Sequence, residues 1–202
     1  MQNNRLFISI IGIVLLTSCR QTNEQLLDKA YELSKQKKYD QAIEIYTKVI
    51  KRNGKLQVAF YNRGFAYAGK NDYRKALADF SKVMALQTNN GFFRTYSQDS
   101  PFADEEAKAQ VPYNDALYQQ AQVKYHLGDF KSSFSDFETL IQNNYEEKSN
   151  CLLWQGTLMI NEGFNDSACH CFIKARQFAI STADSLEAVK MQKLYCKKEL
   201  SK

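Results

Sequence analysis

The sequence predicts an all-α protein built as a solenoid of helical hairpins. Three observations carry this. First, a block of residues recurs at a fixed interval. Tyr39-Asp40-Gln41-Ala42 is answered 34 residues later by Tyr73-Arg74-Lys75-Ala76, while Ala30, Leu33, Tyr46 and Val49 are answered by Gly64, Tyr67, Phe80 and Val83. A helical pattern repeating at about 34 residues marks stacked hairpins that share one continuous core. Second, apolar residues fall at helical spacing throughout. Third, the chain has only 2 prolines and 8 glycines, with aromatics at 13% to serve as interlocking knobs.

The first hairpin starts with an apolar stripe of Leu26, Leu27, Ala30, Tyr31 and Leu33. A turn at Lys37-Lys38 leads to a second amphipathic helix with Ala42, Ile43, Ile45, Tyr46, Val49 and Ile50. Asn53-Gly54 is expected to stop it, Gly54 supplying a left-handed cap. A second hairpin follows from Gln57 to Gly69 and from Tyr73 to Leu86. A third runs from Leu117 to Ile141, with the turn Leu127-Gly128-Asp129-Phe130 and the small residues Ala121 and Ser133. Here Lys124 stands where the other copies have a large apolar residue, which predicts local loosening with Tyr125 compensating. A fourth copy spans Leu152 to Ala175, and its turn through Phe164 reads as one residue longer. A last helix over 182–199, half polar and capped by Thr182 or Asp184, is expected to seal the array.

These residues resemble the tetratricopeptide repeat. A small residue stands where the two helices of a hairpin cross (Ala30, Gly64), an aromatic opens the second helix (Tyr39, Tyr73), and small then aromatic residues follow (Ala42 and Ala76, Tyr46 and Phe80). The resemblance implies a right-handed α-α superhelix of about four hairpins, at residues 23–56, 57–87, 114–147 and 149–180, within a domain over 24–199. It also implies a concave face lined by the first helix of each hairpin, with Leu27, Tyr31, Tyr61, Phe65, Tyr118, Tyr125 and His126 available to a partner. An aromatic groove of this kind suits an extended peptide or an amphipathic helix. One subfamily grips C-terminal carboxylates with a Lys/Asn/Arg cluster. Asn62 fits one such position, but Leu27, Tyr31, Asp115 and Gln119 stand at the others, so that clamp is not expected.

The period breaks once. Ala76 to Ser133 is 57 residues, 23 more than one repeat, and the excess falls in an insertion at 88–112. Insertions of this length are functional or disordered. Phe92, Phe93 and Tyr96 argue for partial folding and partner contact, a tolerated packed loop being the plainer reading.

The amino end reads as a targeting segment. Residues 1–5 are polar with one positive charge, and Leu6 to Leu16 is apolar apart from Ser9 and Gly12. Eleven helical residues span about 16 Å, too short to cross a membrane and right for a signal-peptide core. Leu16-Thr17-Ser18-Cys19 follows directly and resembles the bacterial lipobox. The resemblance implies removal of residues 1–18, lipidation of Cys19 and a short leash over 19–23. Multiple acyl chains anchor stably where one is marginal. The expected location is therefore the bacterial cell envelope, facing the periplasm. An ordinary secretory signal is the alternative.

Net charge is +5 with lysines spread along the chain, which offers no nucleic-acid footprint. There are 2 histidines, and no zincin, hydrolase or phosphate-loop motif. Cys169-His170-Cys171 is no metal cluster, because residues two apart on a helix face opposite ways. Cys151, Cys169, Cys171 and Cys196 can pair in three ways or stay free. No cofactor is expected. The functional expectation is a non-catalytic, lipid-anchored module that binds a protein or peptide. Its rivals are a thiol-dependent or hydrolytic enzyme on the same scaffold, and a self-associating structural scaffold.

Overall fold

The computed structural model describes residues 21–89 and 112–196. The signal segment, Cys19, the insertion aromatics Phe92, Phe93 and Tyr96, and the end of the 182–199 helix beyond Cys196 lie outside the described residues.

The described residues form nine helices: α1 Asn23–Lys35, α2 Tyr39–Arg52, α3 Gln57–Gly69, α4 Tyr73–Asn89, α5 Tyr113–His126, α6 Phe130–Gln142, α7 Lys148–Asn161, α8 Asn165–Gln177 and α9 Thr182–Tyr195. Each packs on the next in sequence. In addition α1 touches α3, and α9 touches α7 as well as α8. First helices thus lie beside first helices, and α9 takes the place a further first helix would have. This is the all-α solenoid with a capping helix that the period implies.

The four hairpin turns share one geometry. Lys37, Asn71, Gly128 and Gly163 occupy equivalent positions, and all four have positive φ, at 60°, 61°, 79° and 84°. The backbone N–H three residues past each helix returns to a carbonyl five residues earlier: Lys38 to Leu33, Asp72 to Tyr67, Asp129 to Lys124 and Phe164 to Met159, at 2.8–2.9 Å. This six-to-one bond is the Schellman arrangement that reverses a chain after a helix. The fourth turn is therefore no longer than the others. Asn165 occupies the position of Tyr39, Tyr73 and Phe130, and Phe164 stands one place earlier as N-cap, 62% exposed. Gly54 does not adopt a left-handed conformation, since α2 ends on an extended Asn53 (φ −142°) whose Oδ1 accepts from the Lys55 N–H. The last helix is capped by Ser181, whose Oγ accepts from the Asp184 N–H at 3.1 Å.

Lys37 is the costly member of the turn set, because a side chain in the left-handed region is strained by roughly 1–2 kcal/mol. Lys37→Gly is expected to stabilise the protein by about 0.5–1 kcal/mol after the entropy cost of glycine, and thermal melting would read this as a small rise in Tm.

Packing between the two helices of a hairpin is set by a ring against a small residue. Tyr46, Phe80, Phe137 and Phe172 occupy one register position and are all essentially inaccessible. Opposite them stand Ala30, Gly64, Ala121 and Gly156. A Cβ on Gly64 would meet Phe80 Cε1 at 2.8 Å, and one on Gly156 would run into Phe172. Those two hairpins therefore need glycine, whereas the other two accommodate a methyl. Ser133, in the place of Ala42 and Ala76, stays satisfied inside by donating to the Ala121 carbonyl at 2.8 Å.

Lys124 does not loosen the third hairpin. Its ammonium pairs with Asp136 at 2.6 Å, both side chains being mostly buried. Asp136 stands where Asp79 stands one hairpin earlier, and Asp79 pairs with Arg63. Burial raises the Asp136 pKa from its ordinary 3.8 even though the Lys124 bond pulls it down. The pair therefore does not recover the cost of desolvation. Joint replacement, Lys124→Met with Asp136→Leu, is expected to be neutral or stabilising by about 1 kcal/mol, while Asp136→Leu alone strands Lys124 and destabilises. A group with a raised folded pKa contributes stability that is complete below its unfolded value and lost as pH rises through the folded one. The double variant should thus gain on the wild type as pH rises above about 4, which acid-to-neutral denaturant titrations would read.

Candidate functional site

The first helices α1, α3, α5 and α7 present a run of rings along one face. Tyr31 of α1 is 52% exposed, with the Lys35 ammonium 5.5 Å from its ring centre. Leu27, one turn earlier, is half-buried and packs into the Leu26 cluster. On α3, Phe65 is 40% exposed and meets half-buried Tyr61 edge-on at 4.9 Å, both rings resting against Phe80. On α5, Tyr118 is half-buried between Phe137, at 5.9 Å, and Tyr145, at 5.7 Å. Tyr125 packs on Trp154 of α7 at 5.1 Å and accepts a hydrogen bond from Asn161. His126 lies flat on Tyr73, with ring centres 4.7 Å apart.

The predicted residues thus fall into three kinds. Tyr31 and Phe65 offer free ring surface. Leu27, Tyr61, Tyr118 and Tyr125 present only part of themselves, the rest being committed between helices. His126 is exposed, but one ring face is taken up in joining the third hairpin to the second. Gly69 holds the equivalent place one repeat earlier, against Tyr39, where a Cβ would meet the ring at 2.5 Å.

Three residues of this face were not legible as site residues in the sequence. Trp154 joins Tyr125, His126 and Phe137 in one ring cluster. It stands two residues before Gly156, as Asn62 stands two before Gly64, so the period itself could have found it. Asp115, in the first turn of α5, accepts a hydrogen bond from the Tyr145 hydroxyl at 2.8 Å. Burial, and next Asp115, hold the Tyr61 phenol up at about 12. Tyr145 lies in the connection after α6, outside any helical stripe, and left no periodic signal.

The cysteines resolve into one pair and two free thiols. Cys169 of α8 is joined to Cys196, just after α9, with Cα atoms 5.3 Å apart, so the capping helix is tied to the last hairpin. Cys151 and Cys171 are free and buried. Burial pushes the Cys151 thiol up to about 12, and burial likewise raises Cys171. Neither is a thiolate near neutral pH, so neither is poised as a nucleophile. The described residues contain no group of three or more His, Cys, Asp or Glu able to hold a metal, and no helix long and apolar enough to cross a membrane.

The fold and this face define a helical-hairpin repeat protein. The chain matches tetratricopeptide repeat models at residues 26–56, 58–90 and 115–145, and its fold is a tetratricopeptide-like helical solenoid. Among solved structures, the MamA RS-1 ArsTM double mutant superposes with a TM-score of 0.61 at 12% identity, over 89% of this chain and 97% of that one. MamA 41-end from Desulfovibrio magneticus RS-1 gives 0.59 at 13% identity, over 89% and 96%. These likenesses show the fold alone. Among curated proteins, intraflagellar transport protein 70A of Xenopus laevis is 24% identical over 157 residues, 73% of this chain and 24% of its own length. Serine/threonine-protein phosphatase 5 of Homo sapiens is 23% identical over 168 residues, 83% of this chain and 28% of its own length. The chain therefore spans about a quarter of these relatives.

Proposed function

We propose that this chain is a non-catalytic protein-binding module, held at a bacterial envelope membrane by lipid on Cys19. It grips an extended peptide or a helix of its partner on the face lined by α1, α3, α5 and α7. The observation that carries the reading is the exposure of Tyr31 and Phe65 at one register position, each next to the small crossing residue, on successive first helices. Rings of this kind give a partner apolar area at small entropic cost. The two free thiols, held protonated by burial, speak against the thiol-enzyme alternative.

A photocrosslinking residue at Phe65, in the lipidated protein in its own host, is expected to yield one dominant protein adduct. An adduct from Phe93 with silence at Phe65 would move the site to the 88–112 insertion, and silence at both would sink the groove reading. Cys19→Ala should abolish metabolic palmitate labelling and release the protein from the membrane fraction. If neither changes, the anchor proposal is wrong.

Self-association is the second reading. It is favoured by Leu186 and Leu194, which are 69% and 54% exposed on α9 at the end of the array. Sizing at two protein concentrations separates it from a monomer.

A further inference from the structure

Asp115 is a half-buried carboxylate in a chain that is net basic, at +5. One oxygen, Oδ1, accepts the Tyr145 hydroxyl at 2.8 Å. Among the described residues no lysine, arginine or histidine pairs with it, although six ion pairs form there between other side chains. Tyr118, one turn further along α5, has its ring 5.7 Å from that of Tyr145, and the Asp115 charge reaches the Tyr61 phenol on α3. Glu147 adds a second carboxylate to the same wall. Its oxygen accepts from the Asn150 amide, and it acts on both Tyr118 and Tyr145. Lys148, next in the chain, does not neutralise it, since its ammonium sits 4.4 Å from the Phe178 ring centre.

A carboxylate with one free oxygen, set among tyrosine rings whose faces are electron-rich, is built to receive a cation. Charge-assisted hydrogen bonding to the carboxylate and cation–π attraction to the rings act on the same guest. We infer that Asp115, with Tyr61, Tyr118 and Tyr145 around it, is the recognition point for a basic side chain, Lys or Arg, of the peptide lying on this face. The inference rests on the groove reading and adds the partner's chemistry to it. Glu147 sets the sign of the wall, and Trp154, the single tryptophan of the chain, lies close enough to Tyr118 to report occupancy.

The test uses two dodecapeptides of one leucine- and alanine-rich sequence, one with a central arginine and the other with a central glutamate, titrated against the protein and followed by tryptophan fluorescence. The arginine peptide is expected to bind about tenfold or more tightly than the glutamate peptide. Asp115→Asn keeps an acceptor for Tyr145 and removes the charge, so it should erase that preference while leaving the melting temperature in place. Rescue by Asp115→Glu distinguishes charge recognition from a merely structural bond. Equal binding of the two peptides, no binding of either up to about 1 mM, or an undiminished preference in Asp115→Asn overturns the inference. The Phe65 crosslink separates the two levels. A partner still captured there with no arginine preference defeats this inference alone, whereas silence there defeats the groove.

Discussion

Asp79→Ala is expected to cost about 3–5 kcal/mol, a large part of the stability of a domain this size. Arg63 reaches Asp79 through two parallel bonds, Nε to Oδ2 at 2.8 Å and Nη2 to Oδ1 at 2.7 Å. Its remaining Nη1 donates to Thr47 Oγ1 at 3.1 Å. One guanidinium therefore ties α2, α3 and α4 together, with 16% of its side chain exposed and 7% of its partner's. The fork geometry and the Thr47 bond are what let such a pair survive away from water, and the Asp79 bond holds the Arg63 pKa above its ordinary value. Without Asp79 the cation stays buried among Phe60 and Tyr67 with no counter-charge. The price of that stranded charge, rather than the worth of the pair, sets the size of the effect. Arg63→Met with Asp79→Leu should accordingly be far milder than Asp79→Ala alone. Urea unfolding of the three proteins checks this, and a single variant no worse than the double would show that the pair is solvated and idle.

The contrast with Lys124 and Asp136 shows how far the sequence could be read. The period placed the small residues, the rings opposite them and the hairpin count, because these repeat at a fixed register and depend on close approach alone. The same register aligns Asp79 with Asp136, both three residues past the small residue of the second helix. It could not say which cation each acid would meet. Arg63 stands one residue before the small crossing residue of its helix and Lys124 three after the equivalent one, so the partners come from different turns and only the helix crossing brings each to its acid. The left-handed turn position was visible only where it is glycine, at Gly128 and Gly163. Asn71 and Lys37 hold the same conformation with no such signature. Phe164 misled for a similar reason. An aromatic near the opening of a second helix was read as the ring of Tyr39 and Tyr73, when Asn165 holds that place. The disulfide needed α9 to fold back on α8, a tertiary event with no trace in local pattern. For the candidate site the sequence supplied the face and several of its rings. It missed Asp115 and Tyr145 as members, because a site formed between a first turn and a connection has no period.

Alkaline pH should unfold the protein cooperatively between about pH 10 and pH 12. Tyr46, Tyr61 and Tyr118 are each raised from 10.0 to about 12. Burial is the largest cause in every case, and Tyr145 is raised in the same direction. A phenol with a raised folded pKa contributes stability that is whole below its unfolded value and disappears as pH climbs through the folded value. Each of the three therefore withdraws stability across this window, fully buried Tyr46 the most, roughly 2–3 kcal/mol, and half-buried Tyr61 and Tyr118 less because water screens them. Helicity and tyrosinate absorbance, followed against pH, should change together. Absorbance rising well before helicity falls would show that these rings reach water without unfolding. Tyr46 provides the sharper test. It is the single tyrosine at a register position held elsewhere by Phe80, Phe137 and Phe172, and it is fully buried. Burial raises its pKa, and Ser34 beside it pulls the other way without overcoming burial. Tyr46→Phe fits the space already used three times in this chain, so it should leave neutral stability nearly unchanged and move the alkaline transition to higher pH. A variant that unfolds at the same pH as the wild type would remove Tyr46 from the account and leave the transition to the tyrosines around Asp115.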